Sequence, residues 1–212
     1  AHFSHFEKLA KEGAREIVHV SLSGGLSPTA NVAAQAARDI SEKYPGCRVW
    51  AVDSLAATIG QGALVREAVR LRAEGRSAEE TYAIIANDLY YLKRGGRVSA
   101  VAAAAGTLLK IKPVLSFTRE GKLTVEEKCK GMKKAFAYAL AKMQKRPPQE
   151  EGRMIRIVHT DNEKEAEELA GMIEARWNFR PEISVMGPVI GSHVGPGSVS
   201  VIWKTEEERN DG

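Results

Sequence analysis

The chain has 212 residues, of which 43% are hydrophobic and 27% charged, and this globular composition excludes an intrinsically disordered protein. The net charge of +4 arises from 31 basic and 27 acidic residues, which is too even a balance to indicate nucleic-acid binding. Its apolar runs are too short to span a membrane and its first residues lack a signal-peptide layout. We therefore expect a soluble, cytoplasmic protein, with Cys47 and Cys129 as free thiols.

Strands and helices alternate in the first part of the chain, which predicts a parallel sheet with right-handed crossovers. The glycine-bearing segment Thr58–Gly62 is interpreted as a turn, and Ser77–Glu80 as a capping box. The predicted elements are helix His5–Lys11, strand Glu16–Leu22, helix Thr29–Tyr44, strand Arg48–Asp53 and a helix over about Ala63–Glu74.

The part of the chain after Ala86 carries patterns of both antiparallel and parallel strand pairing. Asn87–Gly96 is interpreted as a short helical turn and Pro188–Gly197 as a loop. We predict an α/β protein of two domains, a parallel one over 1–86 and a mixed one over 87–212. The remaining predicted elements are helix Val98–Leu109, a hairpin of Lys112–Phe117 with Lys122–Lys128, helix Gly131–Lys145, strand Arg153–Thr160, helix Asn162–Trp177, and strands Glu182–Met186 and Ser198–Lys204.

Ser23–Thr29 is the first candidate binding segment. Its glycines follow a strand directly, and Ser27 and Pro28 suit the start of a helix. Backbone N–H groups and the helix dipole at such a place favour a carboxylate or phosphate. The segment lacks the ending of a P-loop, so it does not indicate a nucleotide, and a purely structural turn is an equally good interpretation.

Three further segments are candidates, each with a structural alternative. Gly187–Gly197 surrounds His193 with glycine and proline, which indicates a backbone that passes close to another group of atoms. From the residues alone, the favoured interpretation of Lys93–Arg97 is a charged helix end, and that of Lys128–Lys134 is a solvated face. No metal-site spacing occurs among the histidines and cysteines, and neither Ser23 nor Ser27 lies in a nucleophile-elbow motif.

Several motifs occur together in the order typical of the DegV family, and the chain resembles that family over nearly its whole length. The two most specific runs are Leu92–Ser99, with its Lys-Arg-Gly-Gly-Arg sequence, and Gly191–Gly197. The supporting segments are Ser23–Ser27, Val52–Ser54 with Gly60–Gly62, Asp88–Tyr91, Ile111–Pro113, Gly121–Leu123 and Lys128–Gly131.

The resemblance implies a non-catalytic lipid-binding protein that needs no cofactor. It implies a long-chain fatty acid in an apolar tunnel between the domains, whose carboxylate a separate fatty acid kinase phosphorylates in bacteria. The implied ligand-binding residues are Ser23, Gly24, Gly25, Ser27 and His193; Arg97 and Lys130 are implied at the tunnel mouth or at a partner-facing surface. The implied contacts include no nucleic acid and no stable membrane insertion, with at most transient membrane contact.

The chain departs from the family pattern at two of these positions. Gly24 stands where the family usually carries a second serine, and Lys130 where kinase-associated members have arginine, which removes a bidentate geometry. We also expect the first domain to lack the family's opening strand.

Two other hypotheses remain open. An acyl- or phosphoryl-transfer enzyme would need His193 within hydrogen-bond reach of Ser27 or Asp53 in a polar cleft. A DNA-binding regulator would need Lys93–Arg97 and Lys128–Lys134 in one basic face.

Overall fold

The computed structural model describes residues 1–92, 97–98, 111–150 and 153–205, with side chains for all of these except 87–92 and 97–98. The chain divides into two compact units. The first comprises Ala1–Tyr90 and the turn Arg119–Lys122, and the second comprises Tyr91–Thr118 and Leu123–Gly212.

The first unit is built on two parallel strands. Strands β1 and β2 pair in register from Glu16 with Arg48 to Ser21 with Asp53. Helices α1 and α2 bury Phe6 and Ile40 against one face of this pair. The elements are α1 His2–Lys11, β1 Glu16–Ser21, α2 Thr29–Lys43, β2 Arg48–Asp53, α3 Ile59–Ala73 and α4 Ala78–Leu92.

The second unit contains a six-stranded sheet in the order β5-β4-β3-β8-β6-β7. Strands β6 and β7 are parallel and the other neighbours antiparallel. Helices α5 and α6 cover one face, and Phe136, Leu169 and Val201 are fully buried in that core. The elements are β3 Arg97–Val98, β4 Ile111–Phe117, β5 Leu123–Lys130, α5 Met132–Lys145, β6 Ile155–Thr160, α6 Glu163–Trp177, β7 Glu182–Val185, α7 Pro188–Val194 and β8 Ser198–Trp203.

The predicted fold class is confirmed, since one sheet is parallel and the other mixed. The predicted capping box is also present. The Ser77 backbone N donates to Glu80 Oε2 at 2.9 Å, and the Glu80 backbone N donates to Ser77 Oγ at 3.2 Å. The bond from the Ser77 backbone N–H is the main cause that lowers the pKa of the Glu80 carboxyl.

Three local predictions were wrong. Thr58–Gly62 is not a turn, because α3 begins at Ile59, and Gly60 lets the first helical turn lie against Ala56. Pro188–Gly197 is not all loop, because Pro188 occupies the first turn of α7 and Gly195, at φ +72°, follows its end. Asn87 is not in a separate helical turn, because α4 continues to Leu92.

Other predictions fall partly outside the described residues. In the predicted helix Val98–Leu109, Val98 belongs to β3 instead, and residues 99–110 lie outside the described part of the chain. Residues 93–96 of the Lys93–Arg97 segment lie outside it too.

Candidate functional site

The loop between β1 and α2 contains four of the predicted ligand-binding residues. Strand β1 ends at Ser21, and Thr29 opens α2 with Pro28 at the N-cap position. Ser27, which was predicted with Pro28 to mark the start of the helix, lies one residue before the N-cap and accepts a hydrogen bond from Thr29 N at 3.3 Å. The loop therefore delivers Ser23, Gly24, Gly25 and Ser27 to the carboxyl end of a parallel strand, where ligands bind in open α/β sheets.

The backbone N–H groups of this loop have acceptors within the protein. Gly24 N donates to both carboxylate oxygens of Asp53, at 3.0 and 3.1 Å, and Gly25 N donates to Ser23 Oγ at 3.2 Å. Leu26 N and Ser27 N both donate to the Ser23 carbonyl, at 3.0 and 3.2 Å. The loop was predicted to attract an anion, and the carboxylate that its Gly24 N–H contacts is that of Asp53.

Asp53 is the last residue of β2 and pairs with Ser21 in the parallel register. Its Oδ1 also accepts from Leu55 N at 2.9 Å, so one carboxylate joins the loops that follow both strands. A Cβ added at Gly24 would lie 2.6 Å from Asp53 Oδ2. In this chain Gly24 therefore permits the closest approach of the carboxylate to the loop.

A turn from a distant part of the chain packs on the same loop. The hydroxyl of Ser23, which is fully buried, donates to the Gly121 carbonyl at 2.7 Å. A Cβ added at Gly25 would lie 2.7 Å from the Glu120 carbonyl oxygen, and one at Gly121, where φ is +73°, would lie 2.1 Å from Ser23 Oγ. Backbone meets backbone here because both segments carry glycine.

Sequence reasoning missed both Asp53 as a loop partner and the turn Arg119–Lys122. Asp53 was noted as part of the family pattern and as a possible partner of His193 in an enzyme, but not as a partner of the loop Ser23–Ser27. The turn was recognised as the connection of a hairpin, but the sequence carries no signal that it contacts residues about a hundred positions earlier. Both contacts depend on how the chain folds back on itself.

Ser27 and Thr29 provide the hydroxyl pair of the loop. Their oxygens lie 2.7 Å apart, and both residues are half-buried. Each hydroxyl has one proton, and one hydrogen bond between them uses one of the two. Within the part of the chain that the structure describes, the second proton has no acceptor. This pair can therefore donate to a ligand without losing an existing bond.

The remaining predicted residues belong to the second unit. His193 lies in α7 and Lys130 is the last residue of β5, and both side chains are exposed. In the sheet, β5 is separated from β6 by three strands, β4, β3 and β8. Thr160 of β6 donates from Oγ1 to the carbonyl of Gly195, which follows α7. Arg97 lies in β3, and its side chain is outside the described part.

Neither a metal cluster nor a membrane-crossing helix occurs in the described ranges, which omit residues 93–96, 99–110, 151–152 and 206–212. Over these ranges, the histidine, cysteine and acidic side chains form no group of three or more that could hold a metal ion. Every helix in them is too short or too polar to cross a membrane.

Comparison with known proteins gives a consistent result. A profile described as "Uncharacterised protein, DegV family" matches residues 3–206. A DegV domain-containing protein of Clostridium perfringens is 36% identical over 211 residues, which cover 93% of this chain and 72% of the relative.

Two solved structures have the same fold. A DegV lipid-binding protein from Thermotoga maritima superimposes with a TM-score of 0.80 at 27% identity, covering 98% of this chain and 75% of that one. A fatty-acid-binding DegV family protein from Streptococcus agalactiae gives a TM-score of 0.78 at 26% identity, covering 97% and 75%. With a profile match over nearly the whole chain, this protein belongs to the DegV family.

Proposed function

We propose that this protein binds one long-chain fatty acid, with the acyl tail in an apolar tunnel and the carboxylate at the loop Ser23–Ser27. On this proposal it is a carrier in the cytoplasm rather than an enzyme. The observation that carries the proposal is the likeness, over nearly the whole chain, to solved proteins whose names describe lipid and fatty acid binding.

The free energy of such binding would come mainly from the tail. Burying about 15 methylene groups at about 0.8 kcal/mol each contributes about 12 kcal/mol before the costs of association. A helix N-terminus contributes only about 0.3–1 kcal/mol to a carboxylate contact. The tail therefore determines affinity, and the loop determines which end of the ligand is presented.

Within the loop, we assign the head-group contact to hydroxyls more than to backbone amides. The N–H groups of Gly24 and Gly25 already donate to Asp53 and to Ser23. The Ser27 and Thr29 pair has a proton to donate, and Ser23 has one that it gives to the Gly121 carbonyl. Gly24 and Gly25 then act by allowing close approach, which the serine usual at position 24 of the family would alter.

We further propose that the bound carboxylate is presented to a separate, ATP-using fatty acid kinase. In that reaction a carboxylate oxygen attacks the γ-phosphorus of ATP, giving an acyl phosphate and ADP, and the kinase supplies the catalytic groups. Lys130 and His193 are exposed, as a partner-facing role requires, and Arg97 is proposed with them because of the family resemblance.

The test of fatty acid binding is native mass spectrometry of the purified protein, followed by denaturing extraction and identification of the bound molecule. A stoichiometric fatty acid, replaced on incubation with labelled palmitate, is the expected result. A protein that carries no fatty acid and takes up none would contradict the proposal, and the polar-cleft enzyme would become the leading hypothesis. Formation of acyl phosphate only when carrier, kinase and ATP are all present tests the partnership.

A further inference from the structure

Ser23 is hydrogen-bonded to the turn Arg119–Lys122. Ser23 Oγ donates to the Gly121 carbonyl at 2.7 Å and accepts from Gly25 N at 3.2 Å, and the serine is fully buried. A serine hydroxyl has a single proton. That proton is committed to Gly121, so a ligand carboxylate that uses Ser23 as a donor has to take it from the turn.

We propose that the turn Arg119–Lys122 is a ligand-responsive latch on the head-group loop, in which the Gly121 carbonyl and the fatty acid carboxylate compete for the Ser23 proton. This inference rests on the proposed function. Binding of the carboxylate loosens the turn, and by linkage the turn weakens carboxylate binding by the same factor. A net hydrogen-bond contribution of the usual size makes that factor about five-fold.

The position of the turn allows the latch to affect strand β5. The turn lies between β4 and β5, and β5 runs from Leu123 to Lys130, the residue proposed to face a partner. Loosening at Gly121 therefore acts on the first residues of a strand whose last residue is exposed. A carrier built this way differs between its loaded and unloaded forms in the hairpin as well as in its tunnel.

The chain offers a matched pair of variants to test this. Gly121 and Gly75 both have positive φ, +73° and +79°, so alanine is strained at each position. The Cβ added at Gly121 meets Ser23 Oγ, whereas the one added at Gly75 meets no described residue within 4 Å. Gly121→Ala therefore displaces the turn from Ser23, and Gly75→Ala reproduces the backbone strain without that contact.

Palmitate titration of the purified full chain tests the competition. We expect Gly121→Ala to bind palmitate about five-fold more tightly than the unaltered protein, because the Ser23 proton has lost its competing acceptor. Gly75→Ala should bind as the unaltered protein does, and Ser23→Ala more weakly. Weaker binding by Gly121→Ala, to the level of Ser23→Ala, would overturn the latch, since the turn would then be part of the head-group site.

Amide hydrogen exchange of the unaltered protein keeps the test decisive if Gly121→Ala does not fold. Exchange at residues 119–122 should become faster when palmitate binds, and this response should disappear in Ser23→Ala. Bound palmitate with unchanged or slower exchange would overturn the latch and leave the carrier function standing. A protein that binds no palmitate would overturn both.

Discussion

Both carboxylate oxygens of Asp53 accept a hydrogen bond from the backbone N–H of Gly24, with the nitrogen 3.0 Å from Oδ1 and 3.1 Å from Oδ2. The same carboxylate accepts from Leu55 N at 2.9 Å. These contacts join the loop after β1 to the loop after β2. The group that joins them is negatively charged, as a carboxylate ligand would be. The protein thus stabilises the loop Ser23–Ser27 through an acceptor of its own.

Replacing this carboxylate should destabilise the first unit. Asp53→Ala leaves the N–H groups of Gly24 and Leu55 without their acceptor, and we expect the free energy of unfolding to fall by about 2 kcal/mol. Asp53→Asn retains one acceptor oxygen and should lose less. Urea denaturation measures both. Asp39→Ala, which removes a carboxylate that accepts from the exposed Gln35 side chain on α2, is the control and should change stability by less than about 0.5 kcal/mol.

The close approach of the turn to the loop predicts different costs for alanine at two glycines. At Gly25 the added Cβ would lie 2.7 Å from backbone atoms of Glu120 and Gly121, which cannot rotate away. We expect Gly25→Ala to lower the free energy of unfolding by about 1–3 kcal/mol. Gly171 lies inside α6, and no described residue comes within 4 Å of its added Cβ, so Gly171→Ala should raise the free energy of unfolding by about 0.5–1 kcal/mol.

Thermal or urea unfolding of the two glycine variants distinguishes steric clash from the general effect of adding a methyl group. Equal shifts of the same sign would show that the loop has room for a side chain at Gly25. The loop and the turn would then lie farther apart in solution than these distances indicate.

The features that sequence reasoning predicted correctly depend on neighbours in the chain. The capping box links Ser77 with Glu80, and the loop Ser23–Ser27 follows a strand whose β-branched residues identify it. The helix over Pro188–Val194 was missed because the glycines in and around it resemble those of a loop, although Pro188 fits a helix start.

The contacts that define the site join residues that are distant in the chain. Gly24 and Asp53 are 29 positions apart, and Ser23 and Gly121 are 98 apart. The parallel pairing of β1 with β2 predicts that the first two lie at one sheet edge, but not that the carboxylate would receive the loop's N–H. Nothing local at Gly121 specifies that its carbonyl meets Ser23.

The free energy of unfolding should depend on pH through His19, the histidine on β1. The His19 ring lies edge-on to the rings of Phe6 and His2 in α1, with centroid distances of 5.3 and 5.0 Å. Its Nε2 is buried and has no partner among the residues the structure describes. Burial lowers the pKa of His19 below its ordinary value of about 6.5, and the charges of His2 and His5 lower it further.

Protonation of His19 couples the free energy of unfolding to pH. Below about pH 6.5 the unfolded chain protonates His19 more readily than the folded one, so acid favours unfolding. The stabilisation is complete above that pH and decreases as the pH falls towards the lower pKa of the folded state. Urea midpoints at about pH 7.5 and about pH 5 should differ less in His19→Leu than in the unaltered protein. His193→Leu, at an exposed position, should keep the full difference.

The last prediction separates the contributions of tail and head group to fatty acid binding. If the tail determines affinity, myristate, with two fewer methylenes than palmitate, should bind about 15-fold more weakly. Ser27→Ala removes one hydroxyl of the Ser27 and Thr29 pair and should weaken palmitate binding by only about five-fold. Ser41→Ala, whose hydroxyl accepts a hydrogen bond from Val49 N near the last turn of α2, is the matched control and should bind as before. Equal affinities for the two fatty acids, with a loss of more than about 100-fold in Ser27→Ala, would show that the polar loop and not the tunnel dominates binding. The ligand would then be a small anion, and the polar-cleft enzyme would account for the site better than a carrier.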